Sequence, residues 1–414
     1  MLIAGEVSGD LLAAELVQAL RSENAVANPV PTWDYQPLHT SLQPKFFGAG
    51  GPQMKAAGVD LTFDMTEHSL IGLSHVIRHY SKFRRFFKQL YDLALERQPD
   101  AIICIDFSGF NSRLAHAIKA FTRSHSDWFH DWQPRLIQYV SPQVWASREG
   151  RAYRLAQDLD LLLSIIPFEK DWYARRVPEL PVEFVGHPLI DRYHKELPSV
   201  CSTVHSRSSP VVVLLPGSRS AELERHLPVM LGALSRLRKQ IGNLQARMVL
   251  PAQSTLDLAR AMSLPSDLDV QVGGLADVLA QSDLAIASTG TVTLECALFG
   301  IPTIAIYKTS SVNYHIIKPF VKVKYLAMPN LLAKEEIFPE FIQNDATEEN
   351  IFRASLELLR DERRRAGMKE KLATITASLG GPGASRRAAA AVLRLFSRGF
   401  ISKDQVAPVT SVSI

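Results

Sequence analysis

Ser288, Thr289, Gly290 and Thr291 form a small, hydroxyl-rich turn between the apolar run Leu284–Ala287 and a short helix that carries one acid, Glu295. Backbone N–H groups at the start of such a helix lack internal acceptors and lie at the positive end of its dipole, which suits a phosphate or diphosphate. Glu295, one turn in, is spaced to accept hydrogen bonds from a ribose diol. An ordinary capped helix has the same composition, and this segment alone leaves both readings open. A second turn, Pro216-Gly217-Ser218-Arg219, follows the apolar run Val211–Leu215 and offers backbone donors beside a guanidinium. The two turns belong to one sheet-forming stretch, and together they favour a nucleotide diphosphate. Asn330, after Pro329 in an apolar loop, is a candidate base or sugar contact, with turn chemistry as its competing explanation.

Candidate groups of the first half also fall at strand ends. Asp106 closes the run Ala101–Ile105, where a carboxylate can act as a general base or simply cap the helix that follows. Gly5, Glu6, Ser8, Gly9 and Asp10 make the first strand-to-helix turn, its glycines allowing close approach and Asp10 able to cap the helix. The spacing is neither GxGxxG nor Walker A. Ser141 and Trp145 flank Pro142 in a loop suited to forming a pocket wall. Leu70, Ile71, Leu73 and Val76 form an apolar run ahead of Arg78, Lys82 and Arg85, which are interleaved with aromatic residues. That pattern fits an anionic membrane surface or an acyl chain, and equally a core helix with a basic outer face. His315–Tyr325 repeats the theme.

The elements that must position these groups alternate, short apolar strands with amphipathic helices, from one end of the chain to the other. This predicts an α/β protein of two Rossmann-like, doubly wound parallel-sheet domains facing a cleft. The expected division is 1–190, a polar linker at 191–210, 211–380, a helix at 381–400 packing back on the first domain or on a partner chain, and a disordered tail at 401–414. Segments 23–43 and 124–134 read as loop insertions. With 46% apolar and 21% charged residues, the 414-residue chain has an ordinary globular composition. Its net charge of +4 and lack of an RNA-binding signature argue against nucleic acid. Cys104, Cys201 and Cys296 form no CxxC pair, so neither a zinc site nor a disulfide framework is implied. No apolar run approaches the ~18 residues of a spanning helix. The first residues read as a strand, not a leader, and the expectation is a cytoplasmic protein with a peripheral membrane contact.

With these residues in hand, the chain resembles the lipid-A-disaccharide synthase family. The matching motifs run in family order: Ala4-Gly-Glu-Val-Ser-Gly-Asp10, Gly48-Ala-Gly-Gly-Pro52, Ile71-Gly-Leu73, Ile105-Asp106, Tyr139-Val-Ser-Pro-Gln-Val-Trp145, Pro167-Phe-Glu-Lys170, Val185-Gly-His-Pro188, Leu215-Pro-Gly-Ser-Arg219, Thr289-Gly-Thr-Val-Thr-Leu-Glu295 and Pro329-Asn-Leu-Leu332. The resemblance implies an inverting, metal-independent glycosyltransferase of GT-B architecture. A UDP-diacylglucosamine would donate its sugar to the 6-hydroxyl of a diacylglucosamine 1-phosphate at the cytoplasmic face of the inner membrane. No cofactor is implied, the UDP-sugar being a substrate, and a homodimer is open. Asp106 falls on the family's general base and Arg219 on its phosphate-binding arginine. Gly217, Ser218, Thr289, Gly290, Thr291, Glu295, Asn330 and Gln343 fall on the nucleotide side. Gly109, Ser147 and His75 depart from the family's usual aspartate, tryptophan and glutamate. A UDP-N-acetylglucosamine 2-epimerase shares the architecture but needs no acyl patch, so the Leu70–Val76 run speaks against it.

Overall fold

The computed structural model describes residues 1–25, 44–66, 80–125, 131–194, 196–197 and 209–397. The chain divides into two compact units. The first contains Met1–Pro142, Gly150–Pro188 and a return segment from Gly383. Its strands are β1 (Leu2–Ala4), β2 (Phe47–Gly50), β3 (Asp60–Asp64), β4 (Ala101–Ile105), β5 (Arg135–Tyr139), β6 (Leu161–Ser164) and β7 (Val182–Phe184). They form a parallel sheet in the order β3-β2-β1-β4-β5-β6-β7. The second unit contains Gln143–Glu149 and Leu189–Pro382. Strands β8 (Val211–Leu215), β9 (Gln245–Leu250), β10 (Asp269–Val272), β11 (Leu284–Ser288), β12 (Thr303–Tyr307) and β13 (Glu340–Ile342) run parallel in the order β10-β9-β8-β11-β12-β13.

Strands buried on both faces read as unbroken apolar runs, and β8 and β11 are buried at every residue. Each sheet reverses its winding once, between β1 and β4 and between β8 and β11. Loops after the strands that flank such a reversal open a crevice at the carboxyl edge of the sheet. Those loops hold Gly5, Glu6, Asp106, Gly217–Arg219, Thr289 and Gly290, with Ser8, Gly9 and Thr291 in the first turns of the helices that follow and Ser288 at the end of β11.

The unit boundaries differ from the sequence-based division in several places. Residues 143–149, expected in the first domain, belong to the second unit. There the Lys322 amide donates to the Ala146 carbonyl at 2.8 Å, and Lys322 Nζ lies 3.8 Å from Glu149. The second unit also starts before the expected linker, because Leu189 and Ile190 pack with Leu294 and Leu379. Most of 191–210, the whole tail 401–414, and 26–43 of the expected insertion lie outside the described residues. That insertion begins later than expected, since the helix Val7–Ala25 runs through residue 25. The return helix Ala384–Ser397 lays Ala388, Ala389, Ala391 and Val392 into the first unit's core, against the helix Val7–Ala25. Arg387 Nε donates to the Val185 carbonyl at 2.7 Å, and Arg394 pairs with Glu183.

Candidate active site

In the second unit, the register of β8 with β11 pairs Leu215 with Ala287, so the loops that follow emerge side by side. A Cβ on Gly217 would lie 3.3 Å from Ser288 Oγ and only 2.5 Å from Glu222 Oε2, and its φ of +121° favours glycine. Arg219 precedes the helix Ser220–Gln240 with extended backbone; its side chain is 63% exposed, with Nη1 3.0 Å from Glu222 Oε1. Gly290 opens the helix Thr291–Leu298 at φ +140°, and a Cβ there would meet nothing within 4 Å. Thr293 Oγ1 caps back to the Gly290 carbonyl at 2.7 Å. A guanidinium, a close-approach glycine and the N–H end of a helix therefore share one strand-end edge, an arrangement that can hold a diphosphate.

Three of the expected nucleotide-side residues are engaged with the protein itself. Glu295 Oε1 accepts a hydrogen bond from Tyr193 Oη at 2.6 Å, and burial raises the Glu295 carboxyl above its usual range, partly offset by that bond. Gln343, at φ +57°, clamps Thr309 through both ends of its amide, accepting at 2.9 Å and donating at 2.7 Å. Asn330 is fully buried and uses every hydrogen-bonding capacity it has. Its Nδ2 donates to the Phe338 carbonyl and Glu340 Oε1, and its Oδ1 accepts from the Ile337 and Phe338 amides, all at 2.7–2.9 Å. Asn330 and Gln343 thus use their side chains to hold loops in shape. Asn330→Ala leaves two amides and a carbonyl short of partners and is expected to destabilise the fold by about 2–5 kcal/mol. Urea unfolding measures this, with UDP affinity of the folded variant expected at the wild-type level.

In the first unit, Asp106 and Phe107 take consecutive left-handed conformations, φ +47° and +42°, and Val140 in the adjoining loop sits at +70°. Such geometry persists only where the surroundings enforce it. Here Asn111 Nδ2 donates to the Asp106 carbonyl at 3.0 Å and Gln138 Nε2 does so at 3.2 Å. Gln138 also reaches the Val140 carbonyl at 3.1 Å. Desolvation by burial pushes the Asp106 carboxyl above its usual range, opposed by a hydrogen bond from the Phe107 amide. The Asn111 and Gln138 amides clamp the backbone carbonyl of Asp106 and not its carboxyl. Gly5 is required beside it, because a Cβ would sit 2.4 Å from the Phe107 ring.

Several first-unit expectations change. Asp10 lies within the helix Val7–Ala25, not before it, and its buried carboxylate accepts from the Gly51, Gln53 and Met54 amides at 2.8–3.0 Å. It caps the helix Pro52–Ala56 instead of lining a cleft. Ser141 is buried with its hydroxyl 3.2 Å from Tyr173 Oη, Trp145 is buried and Gly9 makes only ordinary packing contacts. Ser8 is exposed and Glu6 half-buried at the loop. Leu70, Ile71, Leu73, Val76 and Arg78 lie outside the described residues. Along the helix Tyr80–Arg97, Arg84 and Arg85 are exposed, whereas Lys82 lies over the Phe86 ring at 5.7 Å. The aromatics turn inward: Phe83 reaches Phe107 at 6.1 Å, and Phe87 reaches Phe110 at 5.9 Å. Where it is described, this is a core helix with a basic outer face. Among the described residues no cluster of three or more His, Cys, Asp or Glu side chains could hold a metal ion.

A family model described as Lipid-A-disaccharide synthetase matches residues 1–394. The lipid-A-disaccharide synthase of Trichlorobacter lovleyi is 35% identical over 404 residues, 95% of this chain and 97% of that protein. That of Nitrosococcus oceani is 35% identical over 388 residues, 92% of each. The chain belongs to the lipid-A-disaccharide synthase family. It is a glycosyltransferase of lipid A biosynthesis. Among solved structures, a Listeria monocytogenes protein described as a UDP-N-acetylglucosamine 2-epimerase superposes with TM-score 0.62 at 13% identity, covering 98% of both chains. A calicheamicin glycosyltransferase does so with TM-score 0.56 at 14% identity, again covering 98% of both. These two likenesses bear on the GT-B fold alone.

Sequence reasoning missed Gln138, Tyr193 and His226. Gln138 carried a usable signal, a polar side chain inside the apolar run Leu136–Val140, whereas His226 follows Glu224 and Arg225 and gave none. Tyr193 lay in a polar run read as linker. Fully buried His226 accepts from the Lys308 amide through Nε2 at 2.9 Å, which puts its proton on Nδ1, donating to the Pro216 carbonyl at 2.8 Å. It thereby ties the Arg219 loop to the end of β12 as a neutral imidazole. Burial lowers its pKa from 6.5. The unfolded chain then binds that proton more readily, so this contribution to stability is full above about 6.5 and lost as pH falls toward the lowered folded value. Urea midpoints followed from neutral to mildly acidic pH should fall, and the fall should be smaller in His226→Gln.

Proposed function

We propose that the protein transfers the diacylglucosamine of a UDP-2,3-diacylglucosamine to the 6-hydroxyl of 2,3-diacylglucosamine 1-phosphate, giving a β(1→6) disaccharide 1-phosphate and UDP. The observation that carries this reading is the placement of Gly217–Arg219 beside Ser288–Thr291 at the strand-order reversal of one sheet. Asp106 takes the proton of the acceptor hydroxyl as that oxygen attacks C1 and the bond from C1 to the UDP oxygen breaks, inverting the anomeric centre. Arg219 and the amides opening the helix Thr291–Leu298 stabilise the charge that collects on the departing diphosphate. No cofactor takes part, and the UDP-sugar is consumed. The lipid substrates and the exposed Arg84 and Arg85 support peripheral contact with the cytoplasmic face of the inner membrane. Among the described residues no helix is long and apolar enough to cross a membrane.

The test is incubation of purified protein with the two lipids, with the products read by mass spectrometry and UDP release measured in parallel. A β-linked disaccharide phosphate formed in step with UDP is expected, at a rate unchanged by EDTA. UDP release without disaccharide would overturn the acceptor assignment, and loss of turnover in EDTA would overturn the metal-independent mechanism.

A further inference from the structure

The second unit carries an apolar, cationic surface that the reaction does not use. Val312 and Ile316 on the helix Ser311–Ile317, and Phe320 in the turn Lys318–Phe320, recur every fourth residue and are 69%, 59% and 57% exposed. Val321 extends the patch, so four of the eight exposed large hydrophobics among the described residues fall within ten positions. Apolar residues scattered singly over a surface carry no message, but a grouped face does. Lys318, Lys322 and Lys324 are exposed around it, and the sequence has no Asp or Glu between Glu295 and Glu335. Lys318 Nζ lies 5.4 Å from the Tyr314 ring centroid and Lys324 Nζ 5.0 Å from that of Tyr325, so aromatic rings and ammonium groups share one border.

The geometry points to docking of the segment Ser311–Lys324 on an anionic bilayer surface, with Val312, Ile316 and Phe320 entering the headgroup boundary and the lysines meeting lipid phosphates. Apolar anchors ringed by lysine are what binding at such a boundary requires, and the acids at the border, Glu149 3.8 Å from Lys322 Nζ and Glu336 near Lys324, lie outside the segment. An acidic protein partner would use the lysines but leave the apolar row without a role. This inference rests on the reading that both substrates are membrane lipids, and it gives the donor-binding unit a membrane contact of its own.

Co-sedimentation of the full chain with vesicles of phosphatidylglycerol and phosphatidylethanolamine, against pure phosphatidylcholine, tests it. The combined variant Val312→Ser, Ile316→Ser, Phe320→Ser should bind anionic vesicles about tenfold more weakly. The combined variant Lys318→Gln, Lys322→Gln, Lys324→Gln should lose about as much on anionic vesicles and nothing on phosphatidylcholine. Both variants should melt with wild-type cooperativity and turn over detergent-dispersed substrates at the wild-type rate. Vesicle binding unchanged in both variants overturns the proposal, as does unchanged binding accompanied by loss of a dimer on size exclusion. If the wild-type protein fails to turn over in detergent, the glycosyltransferase reading falls, while the vesicle comparison still judges the docking face.

Discussion

Asp106→Asn should lower kcat by about 10²–10⁴-fold while UDP binds with wild-type affinity. The amide keeps the size of the side chain and fits the same left-handed turn, so the fold is preserved and only the proton acceptor is removed. The clamp on the backbone makes this comparison clean, because Asn111 and Gln138 bind the residue's carbonyl and not its carboxyl. Burial raises the Asp106 pKa, and the base must be ionised to act. Wild-type kcat should therefore fall as pH drops through that raised value, with the acid limb missing from any residual Asp106→Asn activity. An Asn variant with near wild-type kcat would move the base elsewhere. Calorimetric titration of UDP, alongside single-turnover product formation, separates the two steps.

Arg219→Ala should cost about 10²–10³-fold in kcat/KM, the scale set by removing one preorganised donor from a developing charge. Unlike the Asp106 change, this one should also weaken UDP binding. The guanidinium is largely exposed and, among the described residues, pairs with Glu222, so the fold should tolerate its loss and urea midpoints should stay within about 0.5 kcal/mol of wild type. Arg219→Lys should recover only part of the rate, since an ammonium offers a point charge where the diphosphate can use a fork of donors. Retention of wild-type UDP affinity in Arg219→Ala would remove it from the donor site.

The sheets were legible because parallel strands buried on both faces announce themselves as apolar runs. Ala101–Ile105 and Val211–Leu215 match the sequence reading at both ends. The edge strand β3 did not, since it is only partly buried and bears polar residues, and the helix Glu362–Ser378 did not, since it buries only Met368, Leu372 and Ile375. Turn chemistry located Asp106, Gly217–Arg219 and Ser288–Thr291. It could not say whether a polar side chain faces ligand or protein, because that depends on partners distant in sequence. Asn330 finds its own among Ile337, Phe338 and Glu340, and Asp10 finds its own more than forty positions away, at Gly51–Met54. Both look from sequence like groups reserved for substrate.

The return of the helix Ala384–Ser397 to the first unit sets an order on biosynthesis. During translation the first unit's helix Val7–Ala25 emerges early, but the residues that cover it leave the ribosome only after the whole second unit has been made. The nascent first unit therefore waits with an apolar flank uncovered, a window in which chaperones or a neighbouring nascent chain can occupy it.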